Sequence, residues 1–340
     1  MQLDFLNLPL EERRLYFEQA AQRRGLLPVI LEKDFWVCWL LGVLFNSRYR
    51  DVLVFKGGTS LSKVFGAIAR FSEDIDLSLS PDFLGLSDIE LLPSVSRNQA
   101  NAWMKKAEAA CATIIQNEMQ PELERTVAEV LGHDEAGWLD FVTDPMTNSP
   151  VLQFRYPTTQ PLGFEYLKRS VKLEFGSLTD QQPVGRHPVR PWLAEELPQA
   201  FRDWRCEVVA LELERTFWEK ATILHTEHHR PVDKPMPDRF SRHYADTAAM
   251  AVHSIAGQAV DRADLRDRVV QWKSRFFGSG WARYDLARPG TFRLLPPPAR
   301  LAALHRDYYA MRDMYLTEPV AFDRILETLA DLEARINETH

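Results

Sequence analysis

The chain has 340 residues, of which 45% are apolar, and a formal net charge of −7. This length and apolar content predict two lobes with a substantial core, and no stretch approaches the roughly 18 apolar residues that a membrane span requires. Cys38, Cys111 and Cys206 have no metal-binding spacing and form an odd set, which favours buried thiols in a reducing compartment. The N-terminus lacks a basic segment followed by an apolar run. We therefore expect a cytoplasmic protein.

The negative charge is unevenly distributed along the chain. Residues 1–200 contain 20 Lys and Arg against 27 Asp and Glu, whereas residues 201–340 contain 21 of each kind. In the second part 18 of the 21 basic residues are arginines, which suit forked contacts to phosphate. A neutral, arginine-rich lobe could hold structured RNA, although solvated helical faces would have the same composition.

Two helices are predicted at the start of the chain, over residues 9–24 and 28–46. The second helix carries the run Glu32-Lys33-Asp34. We interpret this run as a charged opening turn that complements the helix dipole and packs against its neighbours.

A glycine turn follows a short apolar strand predicted over residues 51–55. Gly57 and Gly58 allow a close approach of the backbone to a ligand, and Thr59 or Ser60 is suited to cap the helix that follows. The N–H groups and dipole at the start of that helix favour an anion. The candidate nucleotide-binding residues are Lys56, Gly57, Gly58, Thr59, Ser60 and Lys63.

Apolar and polar residues alternate over residues 74–79, as expected for a half-buried strand. Asp74 and Asp76 then share a face, with Cα atoms roughly 6.6 Å apart. Two such carboxylates at about 4 Å would repel by about 4 kcal/mol at an effective dielectric near 20, so a divalent cation is a natural reason to keep them together. Oxygen ligands favour Mg²⁺ or Mn²⁺. A solvated strand face or a turn cap is the alternative interpretation.

The rest of the sequence predicts both strands and helices before residue 211 and mostly helices after it. Lys172 and Glu174 alternate with apolar residues and share one strand face. Residues 132–149 are predicted to form a loop, and the three prolines in residues 230–237 exclude regular structure there. Further strands are predicted near residues 151–155, 170–175 and 206–211, and further helices at 98–131, from about 241, 299–314 and 320–336.

Lys220 lies on the apolar stripe of a predicted helix. Leu213, Phe217 and Leu224 occupy the same face, so the ammonium group needs a carboxylate or a bound phosphate as its partner. Asp246, 26 residues later, could pair with Lys220 or take part in substrate binding. The alternatives are a lysine that snorkels at the edge of the stripe and an aspartate on the surface.

These motifs, in this order, resemble the AbiEii/MenT toxin family of polymerase-β-type nucleotidyltransferases. That family has a G-G-T-S-L-x-K turn, an S-E-D-I-D-L strand, a later carboxylate, a helical lysine and an aspartate, to which Glu174, Lys220 and Asp246 correspond here. The resemblance implies an α/β fold, with a polymerase-β-like mixed sheet and flanking helices in residues 1–210, followed by a largely helical lobe in residues 211–340.

The resemblance also implies an activity and a biological role. Mg²⁺, or Mn²⁺, would be held by Asp74, Asp76 and Glu174, and the nucleoside triphosphate would lie in a cleft between the lobes. The nucleoside monophosphate would be transferred to RNA, expected to be the 3′ end of tRNA, while Lys220 neutralises the pyrophosphate that leaves. Asp246 would orient Lys220, and Arg242 and His243 would bind substrate. The protein would be the toxin of a bacterial toxin–antitoxin or phage-defence (abortive infection) system, with an antitoxin encoded nearby.

Several other functions fit parts of the sequence. A small-molecule nucleotidyltransferase of the antibiotic-modifying kind would share the glycine turn and the two aspartates. A metal-dependent nuclease would use Asp76, Lys172 and Glu174, although the usual order of its motif is E-x-K. A non-catalytic scaffold or regulator that binds nucleic acid would not need the carboxylates and the lysine. A zinc hydrolase is suggested only weakly by the histidines, which are His225, His228, His229 and His243.

Overall fold

The computed structural model describes residues 5–86, 95–145, 147–160, 168–201 and 204–338. The chain divides into two compact units. Unit 1 comprises Met1–Val64, Ser72–Pro93 and Ala102–Ala210, and unit 2 comprises Phe65–Phe71, Ser94–Asn101 and Leu211–His340. Within the described ranges, no helix combines the length and the apolarity needed to cross a bilayer.

Unit 1 is built on a seven-stranded mixed sheet. The order of the strands across it is β3-β4-β5-β2-β1-β7-β6. Strand β2 runs parallel to β5 and β1 parallel to β7, while β1–β2, β3–β4 and β4–β5 are antiparallel. The mixed α/β fold expected from the sequence is therefore confirmed. The strands are β1 (Leu53–Lys56), β2 (Asp74–Leu79), β3 (Leu139–Thr143), β4 (Pro150–Phe154), β5 (Val171–Gly176), β6 (Val184–Val189) and β7 (Cys206–Leu211).

The two strands that the sequence pattern does not predict lie at the two edges of the sheet. Strand β3 falls inside residues 132–149, so the prediction of a loop throughout that stretch is wrong. Strand β6 contains a glycine and Pro188, and most of its residues are partly or fully exposed. Edge strands tolerate proline and polar residues because one of their sides has no neighbouring strand, and this removes the alternation that identifies a strand in a sequence.

The helices before residue 211 largely match their predicted positions. Helix α2 is buried along nearly its whole length. The predicted helix at 98–131 consists of α4 and α5 joined by a π-helical turn, Ile115–Met119. These helices are α1 (Leu10–Arg24), α2 (Pro28–Phe45), α3 (Gly57–Lys63), α4 (Arg97–Ile114), α5 (Gln120–Leu131) and α6 (Trp192–Glu196).

The charged run of α2 differs from its predicted role. The helix begins at Pro28, so Glu32, Lys33 and Asp34 follow its first turn. All three are at most 1% exposed. The interpretation as a charged opening turn is therefore wrong. The other part of the prediction, that these residues pack against neighbouring elements, is confirmed.

Unit 2 is helical, as predicted. In α12 the buried residues Phe322, Ile325, Leu329, Leu332 and Ile336 recur at helical spacing, and this face packs against α8. The segment rich in proline between α7 and α8 has no regular structure. The helices are α7 (Leu213–His228), α8 (Ser241–Val252), α9 (Ala256–Asp261), α10 (Ala263–Phe276), α11 (Pro298–Ala310) and α12 (Phe322–Glu338).

Candidate active site

The glycine turn lies directly against the second aspartate of β2. Gly57 has φ +81°, a conformation that L side chains rarely adopt. A Cβ atom at this position would lie 1.9 Å from Oδ2 of Asp76. Only glycine therefore lets the β1–α3 turn approach this carboxylate.

Helix α3 begins at Gly57, three residues earlier than a cap at Thr59 would require. The residue before the helix is Lys56, whose side chain makes no capping hydrogen bond. Thr59 instead donates its hydroxyl to the backbone carbonyl of Asp74, and Ser60 donates to the carbonyl of Gly57 at 3.0 Å. The prediction that Thr59 or Ser60 caps the helix is wrong, and Thr59 ties α3 to β2.

The register of the sheet brings the predicted charged residues together. Lys56 on β1 is paired with Asp76 on β2, and Asp76 is paired with Glu174 on β5. Asp74 is paired with Lys172. Directly opposed residues of neighbouring strands point to the same side of a sheet. These five residues therefore form one charged surface of the sheet.

Asp74 and Asp76 form the acidic centre of this surface. Both are partly buried, while Ile75 and Leu77 between and beside them are fully buried. Burial, then the neighbouring Asp76 and Glu73 carboxylates, raise the pKa of Asp74 to about 6. Among the described residues, no hydrogen bond or ion pair reaches either carboxylate of this pair. A cation placed here would relieve their repulsion.

Lys172 holds the third carboxylate. Its ammonium group lies 2.7 Å from Oε2 of Glu174 and 2.9 Å from Oδ2 of Asp144. Burial alone would lower the pKa of Lys172, but the bonds to Glu174 and Asp144 outweigh burial and raise it. Sequence reasoning missed Asp144, which lies just after β3, in the stretch predicted as a loop. Its only sequence signal is a lone acid before a proline.

The donor set of this surface suits a hard divalent cation only in part. The two β2 carboxylates supply the oxygen ligands that Mg²⁺ and Mn²⁺ prefer. Within the described part of the chain, however, no group of three or more acidic, histidine or cysteine side chains is arranged to hold a metal. In this structure Glu174 is paired with Lys172 and does not converge with Asp74 and Asp76 on one point.

Lys63 takes a different position from the one expected for a phosphate ligand. Its ammonium group lies 2.7 Å from Oδ1 of Asp34, and both side chains are at most 3% exposed. It also lies 4.6 Å from the centre of the Trp192 ring. The positive charge of Lys63, which was predicted to bind a triphosphate, is therefore already paired with Asp34 inside the fold.

A second charged cluster lies in unit 2, around Asp246. Lys220 donates to Oδ2 of Asp246 at 2.7 Å, so the predicted pairing of these two residues is confirmed. Arg70 donates to both carboxylate oxygens of Asp246, at 2.7 and 2.8 Å. Sequence reasoning missed Arg70, which is 176 residues away from its partner and belongs to no motif. The short bridge that Arg70 forms with Tyr315 places its segment among the unit 2 helices.

The electrostatics of this cluster are dominated by its cations. Burial would raise the pKa of Asp246, but Arg70 and Lys220 hold it well below its ordinary value. Burial, followed by repulsion from Lys220 and Arg242, lowers the pKa of His243 well below its ordinary value, so its ring is neutral. Nδ1 of His243 lies 3.4 Å from the Lys220 ammonium nitrogen.

The histidines of α7 serve the packing of unit 2. Nδ1 of His225 accepts a hydrogen bond from the backbone N–H of Arg293 at 3.0 Å, and Nε2 lies 3.0 Å from the carbonyl of Arg283. Nδ1 of His228 lies 2.7 Å from the carbonyl of Leu295. Because both ring nitrogens of His225 are engaged, His225 does not form a zinc site with His229, which lies four residues further along the chain.

Comparison with protein families supports the resemblance seen in the motifs. The family model described as nucleotidyl transferase AbiEii toxin, type IV TA system, matches residues 39–328. The chain belongs to this family. It is therefore a nucleotidyltransferase toxin of the AbiEii family, and this membership argues against the nuclease, zinc-hydrolase and non-catalytic alternatives.

The solved structures give the same fold. The MenT4 nucleotidyltransferase toxin from Mycobacterium tuberculosis H37Rv aligns with a TM-score of 0.50 and 17% sequence identity. The alignment covers 95% of this chain and 90% of that one. At this identity the match establishes the fold alone. Comparison with curated proteins finds no match.

Proposed function

We propose that this toxin transfers a nucleoside monophosphate from a nucleoside triphosphate to RNA, with the 3′ end of tRNA as acceptor, and that the reaction depends on Mg²⁺ or Mn²⁺. The observation that carries the proposal is the pair Asp74 and Asp76 on β2. The pKa of Asp74 is raised to about 6 by burial and by the neighbouring carboxylates. Such a pair is costly to keep in a fold unless a cation binds it.

The carboxylates of Asp74 and Asp76 would hold the divalent cation, which would supply Lewis-acid stabilisation of the negative charge on the phosphates. Glu174, two strand positions from Lys172, would orient or deprotonate the attacking hydroxyl, or join the metal site when Lys172 moves aside. In its present position the Lys172 ammonium lies 2.7 Å from Oε2 of Glu174.

The triphosphate would lie beside the glycine turn. Gly57 lies directly against the Asp76 carboxylate, and Lys56 is paired with Asp76 across the sheet. Thr59 and Ser60 hold the turn through their hydroxyl groups rather than by contacting the nucleotide. The geometry of Lys63 favours a role inside the fold, so we assign the phosphate contacts to Lys56, Gly57 and Gly58.

Lys220, Arg242 and His243 are the candidates for binding phosphate and the acceptor. Arg70 and Lys220 place two positive charges around the single negative charge of Asp246, so the cluster retains an excess positive charge. We propose that Lys220 stabilises negative charge that develops on pyrophosphate, with Asp246 orienting it. Arg242 and His243 precede Asp246 on α8 and would contact RNA.

The biological role follows from the family. A type IV toxin implies an antitoxin, which we propose is encoded nearby, and abortive infection by phage is the setting in which the pair would act. The nucleotides and tRNA that the reaction consumes are cytoplasmic, so we place the protein in that compartment.

The test is to incubate the purified protein with total tRNA, Mg²⁺ and each α-³²P-labelled nucleoside triphosphate in turn. A variant carrying Asp74→Ala and Asp76→Ala serves as the control. Label on tRNA that is absent in the control supports the proposal and identifies the preferred base. The absence of label with every nucleotide, with a folded protein, would contradict the tRNA assignment and favour a small-molecule acceptor.

A further inference from the structure

We propose that Lys33 and Asp34, on helix α2, are positioning residues for nucleotide transfer. Lys33 holds the start of β2, which carries Asp74, and Asp34 holds the end of α3, which carries the glycine turn. The inference rests on the proposed function for the roles of β2 and α3. Two neighbouring buried charges outside the site would therefore fix the positions of β2 and α3.

Lys33 anchors the residue directly before Asp74. Its side chain is 1% exposed and forms an ion pair with Glu73. The ammonium also donates to the backbone carbonyl of Lys168 at 2.9 Å. Since Glu73 and Asp74 are consecutive, fixing Glu73 fixes the backbone from which the Asp74 carboxylate projects.

Asp34 anchors the opposite end of the phosphate-binding segment. Its Oδ1 lies 2.7 Å from the ammonium of Lys63, which is the last residue of α3. Its Oδ2 accepts a hydrogen bond from the backbone N–H of Trp192 at 2.6 Å. Helix α3 is thereby fixed to α2 and α6 through one carboxylate.

The two anchored segments are also joined to each other. Thr59 of α3 donates to the carbonyl of Asp74, and Gly57 lies against the carboxylate of Asp76. A shift of α3 would therefore displace the aspartates of β2. Helix α2 reaches both segments because consecutive helical residues project about 100° apart.

Stability alone does not explain two buried ion pairs at this place. Replacing a buried ion pair by apolar residues of similar size is often neutral or stabilising, whereas such a pair defines the relative position of its partners closely. Glu32 provides an internal comparison, because it is equally buried on the same helix. It accepts hydrogen bonds from Thr158 and Thr159 at 2.7 and 2.6 Å, and these partners lie in neither α3 nor β2.

The experiment uses two double variants, each of which removes both charges of a pair. They are Lys33→Met with Glu73→Gln, and Asp34→Asn with Lys63→Met, where the introduced amide oxygen would keep an acceptor for the N–H of Trp192. Glu32→Gln is the matched control. Mn²⁺ affinity is measured by calorimetry on the nucleotide-free protein, and KM for the nucleoside triphosphate and kcat are measured by label transfer.

We expect the two double variants to change different quantities. The variant that removes the Lys33–Glu73 pair should bind Mn²⁺ about ten-fold more weakly, as is typical when a group that orients metal ligands is lost. The Asp34 pair should raise KM for the triphosphate about ten-fold with little change in Mn²⁺ affinity, because its effect is on α3. Glu32→Gln should change neither quantity by more than about two-fold. Equal effects in all three variants, in step with lost thermal stability, would overturn the proposal.

Three further outcomes are distinguishable. If the double variants do not fold, Lys33→Arg and Lys63→Arg are used instead, because they keep each charge with a different geometry. Lys33→Arg should then weaken Mn²⁺ affinity about three-fold, and Lys63→Arg should raise KM about three-fold. If neither difference is seen, the proposal is overturned. If the unmodified protein binds Mn²⁺ but transfers no label, the proposed function fails and the Mn²⁺ separation still decides the role of Lys33. If it binds no Mn²⁺, nucleotide affinity decides the role of Asp34.

Discussion

The two charged clusters of this toxin differ in the groups that lie beside their carboxylates. In unit 1, Asp74 has a second carboxylate as its neighbour, and its pKa is raised to about 6 by burial and that neighbour. In unit 2, Asp246 is more deeply buried, yet Arg70 and Lys220 lie within 2.8 Å of its oxygens and hold its pKa well below the ordinary value.

The carboxylate in unit 2 is compensated by protein cations, whereas the pair in unit 1 is left for a ligand to compensate. Asp246 is matched by protein cations, so its removal leaves buried positive charge without compensation. Asp74 and Asp76 repel each other, so removing one should relieve the fold while it removes a ligand for the cation. Effects on stability and on activity should therefore have different patterns in the two clusters.

The largest expected effect is on the activity of Asp76→Asn. Loss of one of two metal-binding carboxylates should lower the rate of nucleotide transfer by at least about 10³-fold, since the metal is expected to supply several kcal/mol of charge stabilisation. The free energy of unfolding should stay the same or rise by about 1 kcal/mol, because repulsion with Asp74 is removed. Label transfer and urea unfolding measure the two quantities. Asp82→Asn, an exposed acid of the same unit, should leave both unchanged.

Asp246→Asn should have the largest effect on stability. Arg70 and Lys220 would remain buried without a full counter-charge, which typically costs about 3–5 kcal/mol. Urea unfolding measures the loss. The control is Asp264→Asn, which breaks an exposed ion pair with Arg262 in the same unit and should change stability little. A loss for Asp246→Asn no larger than for Asp264→Asn would remove the contrast between the clusters.

Unit 2 should also respond to acid through His225. Burial lowers its pKa to about 4, and the neutral ring accepts from the N–H of Arg293. Because the folded pKa is depressed, the stabilisation is fully present above pH ~6.5 and is lost as the pH falls towards ~4, by about 3 kcal/mol in total. Unfolding of the parent and of His225→Gln across this range measures the effect. The same pH slope in both proteins would contradict the assignment to His225.

Gly57→Ala should destabilise the protein less than Asp246→Asn does. The added Cβ would meet Oδ2 of Asp76, and the residue has φ +81°, so a loss of about 1–3 kcal/mol is expected together with a loss of transfer activity. Gly25→Ala is the matched control, because it has φ +70° and nothing within 4 Å of the added atom. It should cost about 1 kcal/mol and leave activity intact. Equal activity in both variants would show that the turn tolerates displacement of Asp76.

The sequence was most informative where local periodicity and the site coincide. Strand β2 alternates strictly, so the shared face of Asp74 and Asp76 was predictable from a period of two. The apolar stripe of α7 likewise predicted that Lys220 needs a partner. The edge strands β3 and β6 were missed because exposure on one side removes alternation.

Residues that depend on distant contacts could not be predicted in the same way. Arg70 reaches Asp246 across 176 residues, and Asp144 reaches Lys172 across 28. Lys63 looked like a phosphate ligand because of its place after the glycine turn, and only its partner Asp34 on α2 shows that its charge is already used. A motif specifies residue types, whereas the pairing of charges depends on tertiary packing.

The most direct measurement is the free energy of unfolding with and without Mn²⁺, for the parent protein, Asp76→Asn and Asp82→Asn. At about 100 times the dissociation constant, Mn²⁺ should stabilise the parent and Asp82→Asn by about 2.7 kcal/mol. Asp76→Asn should gain nothing at the same concentration while being at least as stable without metal. An equal gain in Asp76→Asn would contradict the assignment of the cation to the β2 aspartates.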